Sequence, residues 1–287
     1  MKTPKNILLP TDFSNNSENA IAYAADLVKR NEGELSILHV FDVPFMAPSS
    51  AFTTREKTMK NTEDDMRSIS RSKLNDISSS SLVSDIPNLS LVRKGEIEEE
   101  ILEVIKEGDI DLIVMGTKGQ TADRGLFMGS VAKGIVQHAP CPVLAVPDEA
   151  TFNGVTKIVY ATDLQQDETI TINYLVEFAK IYDASLIILH IDHENEVKEW
   201  SIDLLMDMID KTSYPKIAYK EMVLNNVTQG INEYIEEHNP DILAMTTHTT
   251  TLYDKIFHKS ITKQLLMHTH IPLLAFSDRK HDAIFFG

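Results

Sequence analysis

The chain has 287 residues, 43% of them apolar and 24% charged, with a formal net charge of −16 and a single cysteine. That length favours two domains over one, and the balance of apolar and charged residues is that of a folded protein. The acidic charge excludes sequence-independent binding to nucleic acid or to an anionic membrane, since both need clustered Lys and Arg. With Cys141 alone, the chain cannot form an intramolecular disulfide or a CxxC site.

The first apolar run, Ile7-Leu8-Leu9, stops at Pro10 and is too short for a signal-peptide core. No stretch approaches the ~18 consecutive apolar residues that span a bilayer, so a cytoplasmic location is expected. In chain order, short apolar runs predict strands over Ile7–Pro10, Leu35–Val40, Leu89–Val92, Leu112–Met115 and Pro142–Val146. Between the first two, Ile21, Ala24, Ala25 and Val28 repeat at i, i+3, i+4, i+7, which predicts a helix starting near Ser17-Glu18. Helices are also predicted over Glu96–Glu107 and Ser130–His138.

The chain then repeats itself. Ile7-Leu8-Leu9-Pro10-Thr11-Asp12 matches Ile158-Val159-Tyr160-Ala161-Thr162-Asp163, and Leu35–His39 matches Leu186–His190, both at an offset of 151 residues. Asp111–Met115 matches Asp241–Met245, and Pro142–Val146 matches Pro272–Phe276, at an offset of 130. The first copy therefore carries 21 extra residues between His39 and Asp111, the difference between 151 and 130, expected in a longer loop or helix within Pro48–Ser81. Polar and turn-forming residues around Pro147–Val155 mark the boundary, giving expected domains at 1–148 and 154–287. Second-copy strands are expected near Lys157, Ser185, Lys216, Ile242 and Pro272. Continuous apolar strands, most of them separated by helices, imply an α/β fold with two Rossmann-like, doubly wound domains. Each would be a five-stranded parallel sheet with helices on both faces.

The segment with most chemical content is Gly116-Thr117-Lys118-Gly119, then nine residues, then Gly129-Ser130. It follows a strand and opens a helix. Glycines allow the main chain to approach a phosphate, and a helix N-terminus offers free N–H groups and the positive end of its dipole. Ser130 adds a hydroxyl, and Lys118 and Arg124 add positive charge.

This G-x2-G-x9-G-S segment resembles the ATP-binding signature of the universal stress protein family. Gln137–Val146 is similar to that family's passage from last helix to last strand, and the resemblance covers nearly the whole chain as two copies. It implies adenine nucleotide alpha hydrolase-like domains holding ATP with magnesium, with ADP or AMP as alternatives. By it, Pro10, Thr11 and Asp12 would meet the nucleoside and Val40 the adenine. Met115, Gly116, Lys118 and Gly119 would line ribose and phosphates, and Gly129, Ser130 and Val131 would hold the phosphates. Ala132 stands where some members carry a hydroxyl residue. Read without the resemblance, Asp12 is also a cap or turn residue before the first helix.

At the matched second-copy positions Gly116 becomes Thr246, Gly119 becomes Thr249 and Gly129 becomes Lys259, with Ser260 retained. Their side chains would crowd a triphosphate, and Thr and Lys tolerate positive φ poorly. The second copy is thus expected to hold no ATP, although Asp163 persists. Eight of the ten histidines lie in this copy, including His248, His258, His268 and His270, but no spacing matches a zinc signature, and no metal site is expected. Cys141 reads as a packed small residue. The last strands, Pro142–Val146 and Pro272–Phe276, are too apolar to leave bare. Pairing them would make the chain an intramolecular pseudo-dimer, as the resemblance also implies, with a homodimer as a further option.

Neither a catalytic base nor a Walker-type acid is evident, so an enzymatic role is not assigned, and slow ATP hydrolysis stays open. A scaffold with two vestigial crevices is the alternative. An adenylating ATP pyrophosphatase is disfavoured, because Thr11-Asp12-Phe13-Ser14 has no glycine where such enzymes carry a Ser-Gly-Gly loop.

Overall fold

The first copy runs β1 (Asn6–Pro10), α1 (Asn15–Asn31), β2 (Glu34–Phe41), α2 (Phe52–Ser78), β3 (Asn88–Lys94), α3 (Ile97–Glu107), β4 (Leu112–Gly116), α4 (Ser130–His138) and β5 (Val143–Val146). The second runs β6 (Lys157–Thr162), α5 (Thr169–Tyr182), β7 (Ser185–Asp192), α6 (Glu199–Lys211), β8 (Ile217–Val223), α7 (Val227–His238), β9 (Ile242–Thr247) and β10 (Leu273–Ser277). The computed structural model describes residues 3–42, 52–118, 128–164, 168–192, 199–247 and 271–277.

All the strands join one ten-stranded sheet in the order β3-β2-β1-β4-β5-β10-β9-β6-β7-β8. Pairing is parallel within each copy. The exception is the seam, where β10 runs antiparallel to β5 with Leu273 opposite Ala145, Leu274 opposite Leu144 and Ala275 opposite Val143. Each half has the expected doubly wound α/β topology, with the strand order reversing between β1 and β4 and between β6 and β9.

Both faces of the central strands are buried, which is why they read as continuous apolar runs, while the edge strands β3 and β8 are partly exposed. Ile7, Leu9, Leu112 and Leu144 pack with residues of α1 and α5 on one face, a core that crosses the seam to Leu274 and Phe276. Leu8, Leu38, Ile113 and Val143 pack on the other with residues of α3, α4 and α7. Around the seam, Arg30 of α1 lies over the Tyr182 ring of α5 at 5.1 Å, and the Tyr23 ring meets Phe152 edge-on at 4.9 Å.

The repeated Asp at 111 and 241 clamps the amino end of each half. Asp111 Oδ2 accepts from the N–H groups of Lys5 (2.9 Å) and Asn6 (2.8 Å), and Asp241 Oδ2 accepts from those of Thr156 (2.6 Å) and Lys157 (2.9 Å). Helix α1 starts earlier than its apolar period suggests. Its N-cap is Ser14, whose side chain accepts from the Ser17 N–H, and Ser17 is buried inside the first turn. The extra length of the first copy is largely helix, since α2 has 27 residues against 13 in α6. Cys141 is 2% exposed, and burial pushes its thiol up to about 12, so it is a packed residue rather than a nucleophile. The strand it precedes, β5, lies in the middle of the full sheet.

Candidate functional site

The carboxyl ends of β1 and β4 flank the crevice where the first copy's strand order reverses, the place where open α/β sheets hold ligands. Pro10 ends β1, Val40 lies near the end of β2, and Met115-Gly116 ends β4. Gly116 pairs with Val146, and the Thr117 N–H then donates to Val146 O at 2.9 Å. After an excursion, the Gly129 N–H donates to Thr117 O at 2.7 Å, which brings the start of α4 back beside the end of β4. The two ends of the glycine segment, 116–118 and 129–131, are therefore neighbours. Gly119 and Arg124 lie outside the described residues.

Among the described residues, the N-terminus of α4 has no side-chain cap and no acid in its first turn. Its N-cap is Gly129, whereas α3 is capped by Glu96 and has Glu98, Glu99 and Glu100 in its first turn. The positive dipole end of α4 thus lies beside the end of β4 with no acid in the helix's own first turn to offset it. Gly129 has φ −70 and ψ 167, an extended conformation open to any residue. This corrects the conformational part of the expectation for Lys259: a lysine at this position meets no backbone strain, and only its bulk would crowd a triphosphate.

Asp12 forms a turn. Its Oδ1 accepts from Ser14 N (3.0 Å) and Ser14 Oγ (2.5 Å), and Phe13 behind it is held at φ 62. The matched Leu164 has φ 56, so both copies place a bulky residue in the left-handed region at the same corner. Thr11 is buried, with Oγ1 donating to Ser17 Oγ at 2.9 Å. Lys118 lies 3.3 Å from both carboxylate oxygens of Asp148, a contact that residue types alone do not reveal. Among the described residues no group of three or more His, Cys, Asp or Glu is arranged to hold a metal ion, and His248, His258, His268 and His270 lie outside them.

The second copy fills the matched corner differently. Tyr160, Glu168 and Thr246 stand where the first copy has Leu9, Ser17 and Gly116. The Tyr160 hydroxyl donates to Glu168 Oε2, the Thr162 hydroxyl donates to Glu168 Oε1 at 2.6 Å, and Thr246 Oγ1 lies 2.9 Å from the Tyr160 oxygen. Because the single Tyr160 proton goes to Glu168, Thr246 donates to Tyr160. Tyr160 is fully buried and Glu168 is 6% exposed. Burial, then the Glu168 charge, drives the phenol well above its usual range. The network ties β6 to β9 across the reversal point. Thr249, Lys259 and Ser260 lie outside the described residues.

A family model for universal stress proteins matches residues 3–147 and again 154–277. The chain belongs to the universal stress protein family. It is 25% identical over 292 residues to a universal stress protein of Synechocystis, covering 95% of this chain and 99% of that one. A shorter relative from Methanothermobacter thermautotrophicus is 32% identical over 146 residues, or 48% of this chain and 92% of its own. A universal stress protein crystal structure from Archaeoglobus fulgidus superposes with a TM-score of 0.65 at 18% identity, covering 96% of this chain and 97% of that one, a likeness of fold. No helix among the described residues is long and apolar enough to cross a membrane.

Both copies of this universal stress protein anchor a histidine on the β1-type corner. His39 Nδ1 lies 2.8 Å from Thr11 O and His190 Nδ1 lies 3.0 Å from Thr162 O, and since a carbonyl only accepts, Nδ1 carries the proton in each. Burial holds His39 below 6.5, outweighing the Thr11 bond and the Asp12 charge that raise it. A depressed histidine disfavours the proton in the folded state, so its stabilising effect is full above 6.5 and is lost as pH falls below it. His39→Asn, whose amide can replace the Nδ1–H, should flatten that decline. The difference in slope should stay below the one-proton limit of about 1.4 kcal/mol per pH unit, because the ring is only half-buried. Urea unfolding from pH 7.5 to 5 tests this, and identical pH profiles for the two proteins would refute it.

Proposed function

We propose that this universal stress protein is a nucleotide-binding regulator of the stress response that acts in the cytoplasm. Its first copy, residues 1–148, holds ATP with magnesium, with ADP or AMP as alternative occupants. The observation that carries the reading is the uncapped, acid-free N-terminus of α4, drawn beside the end of β4 by the Gly129–Thr117 bond at the sheet's reversal point. On this reading Gly129, Ser130 and Val131 hold the phosphates, Met115, Gly116, Lys118 and Gly119 line ribose and phosphates, Pro10, Thr11 and Asp12 meet the nucleoside, and Val40 meets the adenine. The bound nucleotide alters a surface seen by another protein.

The second copy, residues 154–287, is read as holding no ATP. Thr246 replaces a glycine there and is engaged with Tyr160, which supports the reading. With β5 and β10 paired, the two copies would serve as an intramolecular pseudo-dimer, with homodimerisation a further option. A second reading, a scaffold without nucleotide, is favoured by the Lys118–Asp148 pair, which already satisfies part of the cation's charge.

Calorimetry with ATP and magnesium separates the two. The wild-type chain should bind one equivalent, and Gly129→Lys should weaken binding by about a hundredfold or more, roughly 3 kcal/mol. Because Gly129 sits in an unstrained extended conformation, that loss would report the site and not a misfolded loop. No binding to either protein would establish the scaffold reading instead.

A further inference from the structure

We propose that Asp148 is a built-in competitor for phosphate: its carboxylate holds the Lys118 ammonium that a polyphosphate would take, so filling the site loosens the start of the segment joining the two copies. The inference rests on the nucleotide reading above.

The contact follows from the sheet. Gly116 and Val146 are register partners on adjacent parallel strands, and Lys118 and Asp148 each lie two residues beyond that pair, so the two chains leave the sheet side by side. Lys118 Nζ is 3.3 Å from both Asp148 oxygens, at the long end of hydrogen bonding, and the two side chains are 18% and 35% exposed. A charge pair that long and that open to solvent exchanges readily for a better anion. A terminal phosphate carries more charge than a carboxylate and brings three acceptor oxygens, so it outcompetes Asp148 when held nearby.

Asp148 also belongs to the segment that leads into β6. Its carbonyl accepts from Asn19 Nδ2 of α1 at 2.7 Å, the Ala150 N–H donates to Pro147 O at 3.1 Å, and Ala150 is 3% exposed. Phe152 then packs on Tyr23 of α1. The carboxylate therefore joins the phosphate-binding lysine to a strap laid across α1. Displacing it removes the charge contact that steadies the start of that strap, so the Ala150–Pro147 turn opens more often while the Asn19 bond and the Phe152–Tyr23 contact keep the strap on α1.

Asp148→Asn keeps the side-chain shape and the carbonyl bond to Asn19 but removes the competing charge. It should tighten ATP binding about threefold to tenfold, the range expected for loss of a partly exposed ion pair, and leave binding of adenosine, which has no phosphate, unchanged within twofold. Hydrogen exchange at the Ala150 amide should quicken when wild-type protein is saturated with ATP and magnesium. The same amide should exchange quickly in Asp148→Asn without nucleotide. ATP affinity equal in the two proteins, an equal gain for adenosine, or an Ala150 amide indifferent to ATP would each overturn the inference while leaving the nucleotide reading intact. Failure of ATP to bind either protein would overturn both.

Discussion

Leu274→Asp is expected to cost more than about 4 kcal/mol, because it places a carboxylate with no partner inside a core that both copies share. Leu274 is fully buried opposite Leu144, itself 2% exposed, and both belong to the face of the sheet packed against α1 and α5. The milder Leu274→Ala should cost about 3 kcal/mol through lost burial and the cavity left behind. Urea denaturation followed by circular dichroism measures both. Since the core runs across the seam, the wild-type chain should unfold in one transition, and Leu274→Asp should split it in two as the halves lose their common face. A loss below about 1 kcal/mol for Leu274→Ala would mean that the seam contributes little, whatever its hydrogen bonding.

The second large effect is expected at Glu168. Replacing it with Ala removes the acceptor for two buried hydroxyls, those of Tyr160 and Thr162, and should cost about 3 kcal/mol. Tyr160→Phe alone should cost about 2 kcal/mol, since it leaves Glu168 short of a donor and Thr246 short of an acceptor. The double variant should cost clearly less than the sum, because once the carboxylate is gone the phenol has little left to lose. Strict additivity in a double-mutant cycle would show that the three groups do not act as a network. Because the cluster belongs to the second copy alone, neither substitution should alter nucleotide affinity in the first.

Much of this architecture was legible in the sequence, for a physical reason. Strands buried on both faces are apolar at every position, so Ile7–Pro10 or Leu112–Met115 stand out without any alternation to decipher, and two copies of the pattern reinforce each other. The start of α1 was harder. Ser14 and Ser17 are both good capping residues, and only the fold decides that Ser17 turns inward to Thr11 while Ser14 caps. The composition of the long first-copy segment leaves loop and helix open, and the described part, Phe52–Ser78, is helix.

At the candidate site, the glycine segment is legible from its spacing, whereas what surrounds it depends on contacts between distant segments. Lys118 and Asp148 meet only because β4 and β5 are neighbours. Glu168 was missed outright, yet a signal existed. Three matched positions change together from Leu9, Ser17 and Gly116 to Tyr160, Glu168 and Thr246, each gaining hydrogen-bonding capacity. A concerted change of that kind at one corner of a repeated fold is a signal in the sequence itself for a polar cluster. Asp12 likewise shows its plain role, closing a turn on Ser14.

The antiparallel seam between β5 and β10 has a consequence for how the halves can change over time. Two separate chains meeting through this surface would part on dilution, whereas a tether holds the partner at an effective concentration on the order of millimolar. Separate identical chains would also be bound by symmetry, since any substitution appears in both partners at once. On the nucleotide reading, a chain that lost its Gly116 equivalent would then empty both crevices together. Covalent fusion lifts that constraint, so one half can keep its glycines while the other trades them for Thr246 and Lys259 and remains a fixed companion.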